Sequence, residues 1–180
     1  MSRRCGRAGN TLIEGGGLHP SDIPTPAALI DETRMMRNIA RMQQRMDALG
    51  VRLRPHVKTT KCIEVARRQR DAGASGITVS TLKEAEQFFA AGFTDVLYAV
   101  CLAPAKLDRV LALRHQGCAL TILVDSLLAA SAVVAKGRAE RHSFDVMIEI
   151  DSDGHRSGVR ADDRRLIACC RRAAPCSRAR

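Results

Sequence analysis

The sequence Arg-Pro-His-Val-Lys-Thr-Thr-Lys at residues 54–61 places a primary amine beside an imidazole and two hydroxyls. Lys58 follows an alternating apolar pattern that predicts a strand, and a helical pattern comes after it. A lysine amine can form a Schiff base with an aldehyde cofactor. Catalytic groups of (β/α) barrels lie at the carboxyl ends of the strands. The position of Lys58 therefore fits covalent catalysis, with a solvated loop lysine as the alternative.

A second polar cluster, at residues 149–158, begins at the end of an apolar strand pattern at residues 144–150. Asp151, Asp153 and His155 have the side chains of metal ligands. Arg156 could instead donate hydrogen bonds to an anionic oxygen. A solvated polar loop is the third interpretation.

Ser80 and Thr81 stand at a third strand end and precede a helical pattern. Their hydroxyls and the helix N-terminus could bind a polar group. Simple helix capping is the more economical interpretation.

Short apolar segments alternate with amphipathic ones along most of the chain, and a glycine follows most of the latter. This alternation predicts parallel strands covered by helices, in an α/β protein with a partial (β/α)8 TIM barrel of about six units. An open doubly wound sheet is disfavoured because no Gly-x-Gly-x-x-Gly turn follows a strand. Strands are predicted at residues 27–30, 51–57, 76–79, 95–100, 120–124 and 144–150. Helices are predicted at residues 31–49, 59–72, 80–91, 104–116 and 126–136 and from residue 162 onward.

The first helix pattern carries an apolar stripe that we interpret as core packing. The stripe consists of Met35, Ile39, Met42, Met46 and Leu49.

The net charge of +10 is concentrated at the two ends of the chain, since nine of the 29 basic residues lie in residues 1–8 and 164–180. The other basic residues nearly balance the 19 acidic ones, which argues against a nucleic-acid-binding face. No apolar segment has the length of a membrane span. Seven cysteines without a Cys-x-x-Cys pair or a secretory signal predict reduced thiols in a cytoplasmic protein.

Three regions are expected from these patterns: a flexible leader at residues 1–22, an incomplete barrel at residues 23–163 and an atypical basic tail at residues 164–180. The tail has no apolar strand after its helix, so we expect a truncated or frame-shifted end.

Four ordered segments, at residues 25–31, 54–59, 78–86 and 151–158, make the chain resemble the N-terminal domain of the fold-type III pyridoxal-phosphate enzymes. This is the alanine racemase N-terminal domain superfamily. Within it the chain is most similar to the D-threonine aldolase and D-serine dehydratase group. The resemblance implies that Lys58 carries pyridoxal 5'-phosphate covalently, that Arg156 lies near the cofactor's phenolic oxygen and that His56 lies close to the cofactor.

The activity implied by this resemblance is cleavage of D-threonine into glycine and acetaldehyde by a lyase. The alternatives are a D-serine dehydratase or amino-acid racemase, and a non-catalytic pyridoxal-phosphate-binding protein. The family's C-terminal β-domain and its metal ligands would lie beyond Arg180. No metal ligand is therefore expected in this chain, and manganese or zinc is expected only for a full-length enzyme. A small D-amino acid is the expected partner, a homodimer is expected only for a complete chain, and this chain alone is expected to have little activity.

Overall fold

The chain divides into two compact units, residues 1–75 and residues 76–180, in a computed structural model. The structure describes residues 4–5, 10–11, 23–27 and 29–164, with Ala168 and Arg171. The first unit has a short antiparallel pair of strands followed by two helices. These elements are β1 (Arg4–Cys5), β2 (Asn10–Thr11), α1 (Glu32–Ala48) and α2 (Ile63–Asp71).

Helix α1 begins where the sequence predicts, because the Asp31 carboxylate accepts a hydrogen bond from the backbone N–H of Arg34. It ends before Gly50, whose φ of +65° suits a helix terminus. The buried stripe differs from the predicted one. Ile39 and Gln43 are buried, whereas Met42 is 50% exposed.

Two predicted strands of the first unit are wrong in the residues that the structure describes. Residues 29–30 are exposed and form no strand; Ala28 is outside the described residues. Residues 51–55 are irregular, and only His56 makes a strand-like bridge. Leu53 O still accepts a hydrogen bond from Ser75 N at 2.8 Å, but the proline at position 55 has no N–H for a ladder. The alternating apolar pattern of this segment therefore reflects which side chains are buried, and does not indicate that the segment pairs as a strand.

The second predicted helix starts four residues later than expected, at Ile63 instead of residue 59. Residues 57–60 form a turn, and Lys61 has a φ of +48°, which is outside the helical region. The turn therefore separates Lys58 from α2.

The second unit contains a parallel four-stranded sheet in the order β3-β4-β5-β6. Helices α3, α4 and α5 connect successive strands, and a 3₁₀ turn at Pro104–Lys106 leads into α4. This alternation confirms the predicted α/β class. The bounds are β3 (Ile77–Val79), α3 (Leu82–Ala90), β4 (Asp95–Cys101), α4 (Leu107–His115), β5 (Ala119–Val124), α5 (Leu127–Glu140) and β6 (Asp145–Ile148).

The core of this unit lies on one face of the sheet. Val79, Tyr98 and Ile122 are neighbours in register and are fully buried. The alternate positions are less covered, and Met147 is 53% exposed. Helices α3 and α4 contact the sheet. The strands are thus covered unequally on their two faces.

A small parallel pair follows the main sheet: β7 (Ile150–Asp151) and β8 (Val159–Arg160). The predicted last helix falls largely outside the described residues. Among the helices that the structure describes, none is both long and apolar enough to span a membrane.

Candidate active site

Lys58 lies in an exposed turn held between two buried side chains, Val57 and Cys62. The turn is closed by a hydrogen bond from Lys61 N to Val57 O at 2.9 Å. Burial of the apolar anchors fixes the ends of the turn, while the Lys58 side chain remains exposed. The structure therefore presents the amine to solvent, where an aldehyde can reach it.

His56 contacts the same turn. The backbone N–H of Lys58 donates to His56 Nδ1 over 3.4 Å. A ring nitrogen that accepts a hydrogen bond carries no proton, so the neutral ring has its proton on Nε2. The structure thus brings His56 and Lys58 into one turn of the first unit.

The end of β3 is occupied by the protein's own carboxylate. Glu84 is buried, and its Oε2 accepts hydrogen bonds from Ser80 N at 2.8 Å and from Thr81 N at 3.3 Å. The Thr81 hydroxyl in turn accepts from Glu84 N at 3.0 Å. This reciprocal arrangement is a capping box. Helix capping is therefore the correct interpretation of this strand end.

The ends of β4, β5 and β6 bring together the side chains of Cys101, Asp125 and Glu149. The polar cluster identified in the sequence includes Glu149, but Cys101 and Asp125 were not singled out. The Cys101 thiol donates to Glu149 Oε2 at 2.7 Å. Burial raises the pKa of Cys101 above its ordinary value, and hydrogen bonds to Glu149 and Asp125 raise it further. Each residue lies at the carboxyl end of its strand, the edge at which parallel barrels place their chemistry. The sequence signal that could have identified these residues is a polar side chain directly after an apolar strand.

Arg156 lies in the exposed loop between β7 and β8. The loop folds on itself, since Asp151 Oδ1 accepts from Gly154 N at 2.9 Å and Asp153 Oδ1 from His155 N at 3.3 Å. Such bonds are typical of Asx turns. Over the described ranges, no three His, Cys, Asp or Glu side chains are grouped so that they could hold a metal ion. The described residues therefore give no support to the metal-site interpretation of this loop.

Residues 30–178 match the family model for the alanine racemase N-terminal domain. The chain belongs to this family, which is that of the fold-type III pyridoxal-phosphate enzymes.

Two curated relatives show the range of proteins to which this chain is similar. It is 67% identical over 145 residues to the D-threo-3-hydroxyaspartate dehydratase of Delftia sp. strain HT23. It is 33% identical over 152 residues to a D-threonine aldolase of Arthrobacter sp. These matches cover 81% and 84% of this chain. The chain spans only 38% and 40% of the lengths of these relatives.

The solved structure of the Delftia dehydratase superposes with a TM-score of 0.84 and 63% sequence identity. The superposition covers 87% of this chain and 42% of that one. The D-threonine aldolase of Filomicrobium marinum gives a TM-score of 0.78 at 30% identity and covers 88% of this chain and 42% of the other. The predicted barrel family is therefore confirmed.

Proposed function

We propose that this chain is part of a pyridoxal-phosphate-dependent lyase that acts on β-hydroxy D-amino acids, with D-threo-3-hydroxyaspartate as the substrate and dehydration as the reaction. The 67% identity to the Delftia dehydratase carries this proposal, because it is twice the identity to the D-threonine aldolase of Arthrobacter sp. The aldolase reaction implied by the family resemblance becomes the second candidate.

Lys58 is the residue that we propose holds the cofactor. A phosphorylated aldehyde needs a reachable primary amine, and Lys58 is exposed in a turn whose ends are buried. The cofactor, when bound, supplies the electron sink for the reaction. With its proton on Nε2, His56 can donate a hydrogen bond beside that amine.

Arg156 is proposed to bind the phenolic oxygen of the cofactor. A guanidinium group is always charged and donates strong hydrogen bonds to anionic oxygens. Its exposure in the loop between β7 and β8 leaves the group able to take a ligand.

A divalent metal belongs to the proposal for the longer enzyme alone. The solved structure of one variant of a D-threo-3-hydroxyaspartate dehydratase is in a metal-free form. We assign no metal ligand to the described part of this chain, given the absence there of a suitable group of side chains.

Product analysis tests the proposed reaction. A full-length enzyme that contains this chain is mixed with pyridoxal phosphate, a divalent metal and D-threo-3-hydroxyaspartate at enzyme concentrations that detect a single turnover. Loss of water followed by hydrolysis would give oxaloacetate and ammonia, whereas aldol cleavage would give glycine and glyoxylate. We expect oxaloacetate, no product from Lys58→Ala, and full product from the control Lys61→Ala. Glycine without ammonia would favour the aldolase, and product from Lys58→Ala would contradict the role of Lys58.

A further inference from the structure

Glu149 is anchored at three points where β6 passes into β7. Its backbone N–H donates to Val124 O at 3.0 Å, and its carbonyl accepts from Val159 N at 2.9 Å. Its side chain accepts from the Cys101 thiol at 2.7 Å. The residue thereby connects the ends of β4 and β5 to the start of β8.

A β-bulge brings Cys101 to this place. Tyr98 pairs with Ile122, but Cys101 pairs with Leu123, so β4 carries two extra residues between them. Bulges at strand ends bend the strand and redirect side chains, and they are frequent beside active sites. The bulge in β4 allows the thiol to reach a carboxylate that lies beyond the neighbouring strand β5.

The thiol is suited to be a permanent donor. Burial, followed by the hydrogen bonds with Glu149 and Asp125, raises the pKa of Cys101, so the S–H group keeps its proton at neutral pH. A carboxylate, by contrast, only accepts hydrogen bonds when it is ionised. The Cys101–Glu149 contact is therefore a stable donor–acceptor pair.

The loop at residues 151–158 closes directly on the Glu149 backbone. A Cβ atom added at Gly158 would lie 3.0 Å from Glu149 O and 2.6 Å from Asp151 N. So close an approach leaves little room for the two segments to move separately. A shift of Glu149 would displace the end of the loop, two residues from Arg156.

We propose that Cys101 is a positioning residue that acts through Glu149 to hold the loop at residues 151–158 and hence to fix the place of Arg156. Its importance for the reaction rests on the proposed function, in which Arg156 binds the cofactor. The positioning itself depends only on contacts within the second unit.

Amide hydrogen exchange of the loop tests the positioning. Cys101→Ala removes the donor, Cys101→Ser keeps one, and Cys118→Ala is the matched control, since it removes a buried thiol at the opposite end of the sheet. We expect exchange at Val159 to be about tenfold faster in Cys101→Ala, as for the loss of one hydrogen bond to a charged group. Cys101→Ser and the control should exchange like the wild type. Equal exchange in Cys101→Ala and the control would overturn the proposal.

The infrared S–H stretching band reports the hydrogen bond of the Cys101 thiol. Unlike amide exchange, it does not depend on local unfolding of the loop. Subtracting the Cys101→Ser spectrum from the wild-type spectrum isolates the band of this thiol. We expect it at lower frequency than the band of an unbonded thiol, and Glu149→Gln should raise it. A band that Glu149→Gln leaves unchanged would show that the thiol does not donate to Glu149.

Cofactor binding separates this inference from the proposed function. Cys101→Ala should weaken pyridoxal-phosphate binding about tenfold and Cys101→Ser should restore it, if Arg156 is held through this contact. Failure of the wild type to bind the cofactor would contradict the proposed function, whereas the exchange and infrared results would still decide the positioning. Binding that is equal in Cys101→Ala and the wild type would refute the importance of Cys101 for the cofactor.

Discussion

Gly158 combines a backbone conformation and a close approach that favour glycine. Its φ is +121°, and an added Cβ would lie 2.6 Å from a backbone nitrogen. Gly154, in the same loop, has a φ of +76° but nothing within 4 Å of the added atom. The two glycines therefore separate the cost of a positive φ from the cost of a steric clash.

Replacing Gly158 by alanine should destabilise the protein by about 3 kcal/mol, because a strained backbone and an overlap are both introduced. The control Gly154→Ala should lose about 1 kcal/mol, from the strained backbone alone. Urea unfolding of the two variants measures the difference. Equal losses would show that the loop does not close on Glu149 as described.

The sequence alone suggests some of the candidate residues but not the contacts between them. Lys58 was predicted as the cofactor lysine from its place near His56 at the end of a predicted strand, which the structure does not show. Its role stays a prediction, and its exposure is compatible with that role. The Cys101–Glu149 contact could not be predicted. It joins residues 48 positions apart and depends on a bulge that no local pattern reveals.

Among the elements of the second unit, Arg114 of α4 is hydrogen-bonded to the end of the sheet at which β5 and β6 begin. Its Nη1 donates to Leu120 O at 2.9 Å and to Asp145 Oδ2 at 2.8 Å. Its Nε donates to His142 Nε2 at 2.9 Å, which requires an unprotonated ring nitrogen. The Arg114 guanidinium thus contacts the start of β5, the start of β6 and the segment after α5.

This arrangement makes the stability of the second unit depend on pH. Burial lowers the pKa of His142 below its ordinary value of 6.5, and the charges of Arg114 and His115 lower it further, while Asp145 opposes them. The folded state therefore disfavours protonation. The neutral His142 ring contributes its full stabilisation above the pKa of about 6.5 that the side chain has in the unfolded state. This stabilisation is lost as the pH falls toward the lower pKa of the folded state.

Urea midpoints at pH 7.5 and pH 5.5 measure this dependence. The wild type should lose more stability on acidification than His142→Gln, whose amide oxygen can still accept from Arg114 but does not titrate. His155→Gln is the control, because His155 is exposed in the loop between β7 and β8. An identical pH dependence in His142→Gln and the wild type would refute the role of His142.

The strands also mark the boundary of what the sequence predicts. Apolar runs identified β3, β4, β5 and β6 within a few residues, because these strands form the core of the second unit with one face of their sheet. The segment at residues 51–57 misled the prediction. Pro55 and Val57 are buried without a regular ladder around them, so burial and pairing are not equivalent.

For the molecule as a whole, the comparisons show the family of the chain, whereas its activity is a proposal. The family follows from a match over residues 30–178. The curated relatives are longer, since the chain spans 38% of the Delftia dehydratase. The family resemblance identified the superfamily but favoured the aldolase branch, whereas the higher identity is to a dehydratase.

One lysine of this chain, Lys58, is proposed to hold pyridoxal phosphate. Borohydride reduction of the chain after incubation with the cofactor, followed by peptide mapping, identifies the lysine that carries it. We predict a reduced phosphopyridoxyl group on Lys58, none at this position in Lys58→Ala, and unchanged labelling of Lys58 in Lys61→Ala. Label on another lysine with Lys58 unmodified would contradict the account.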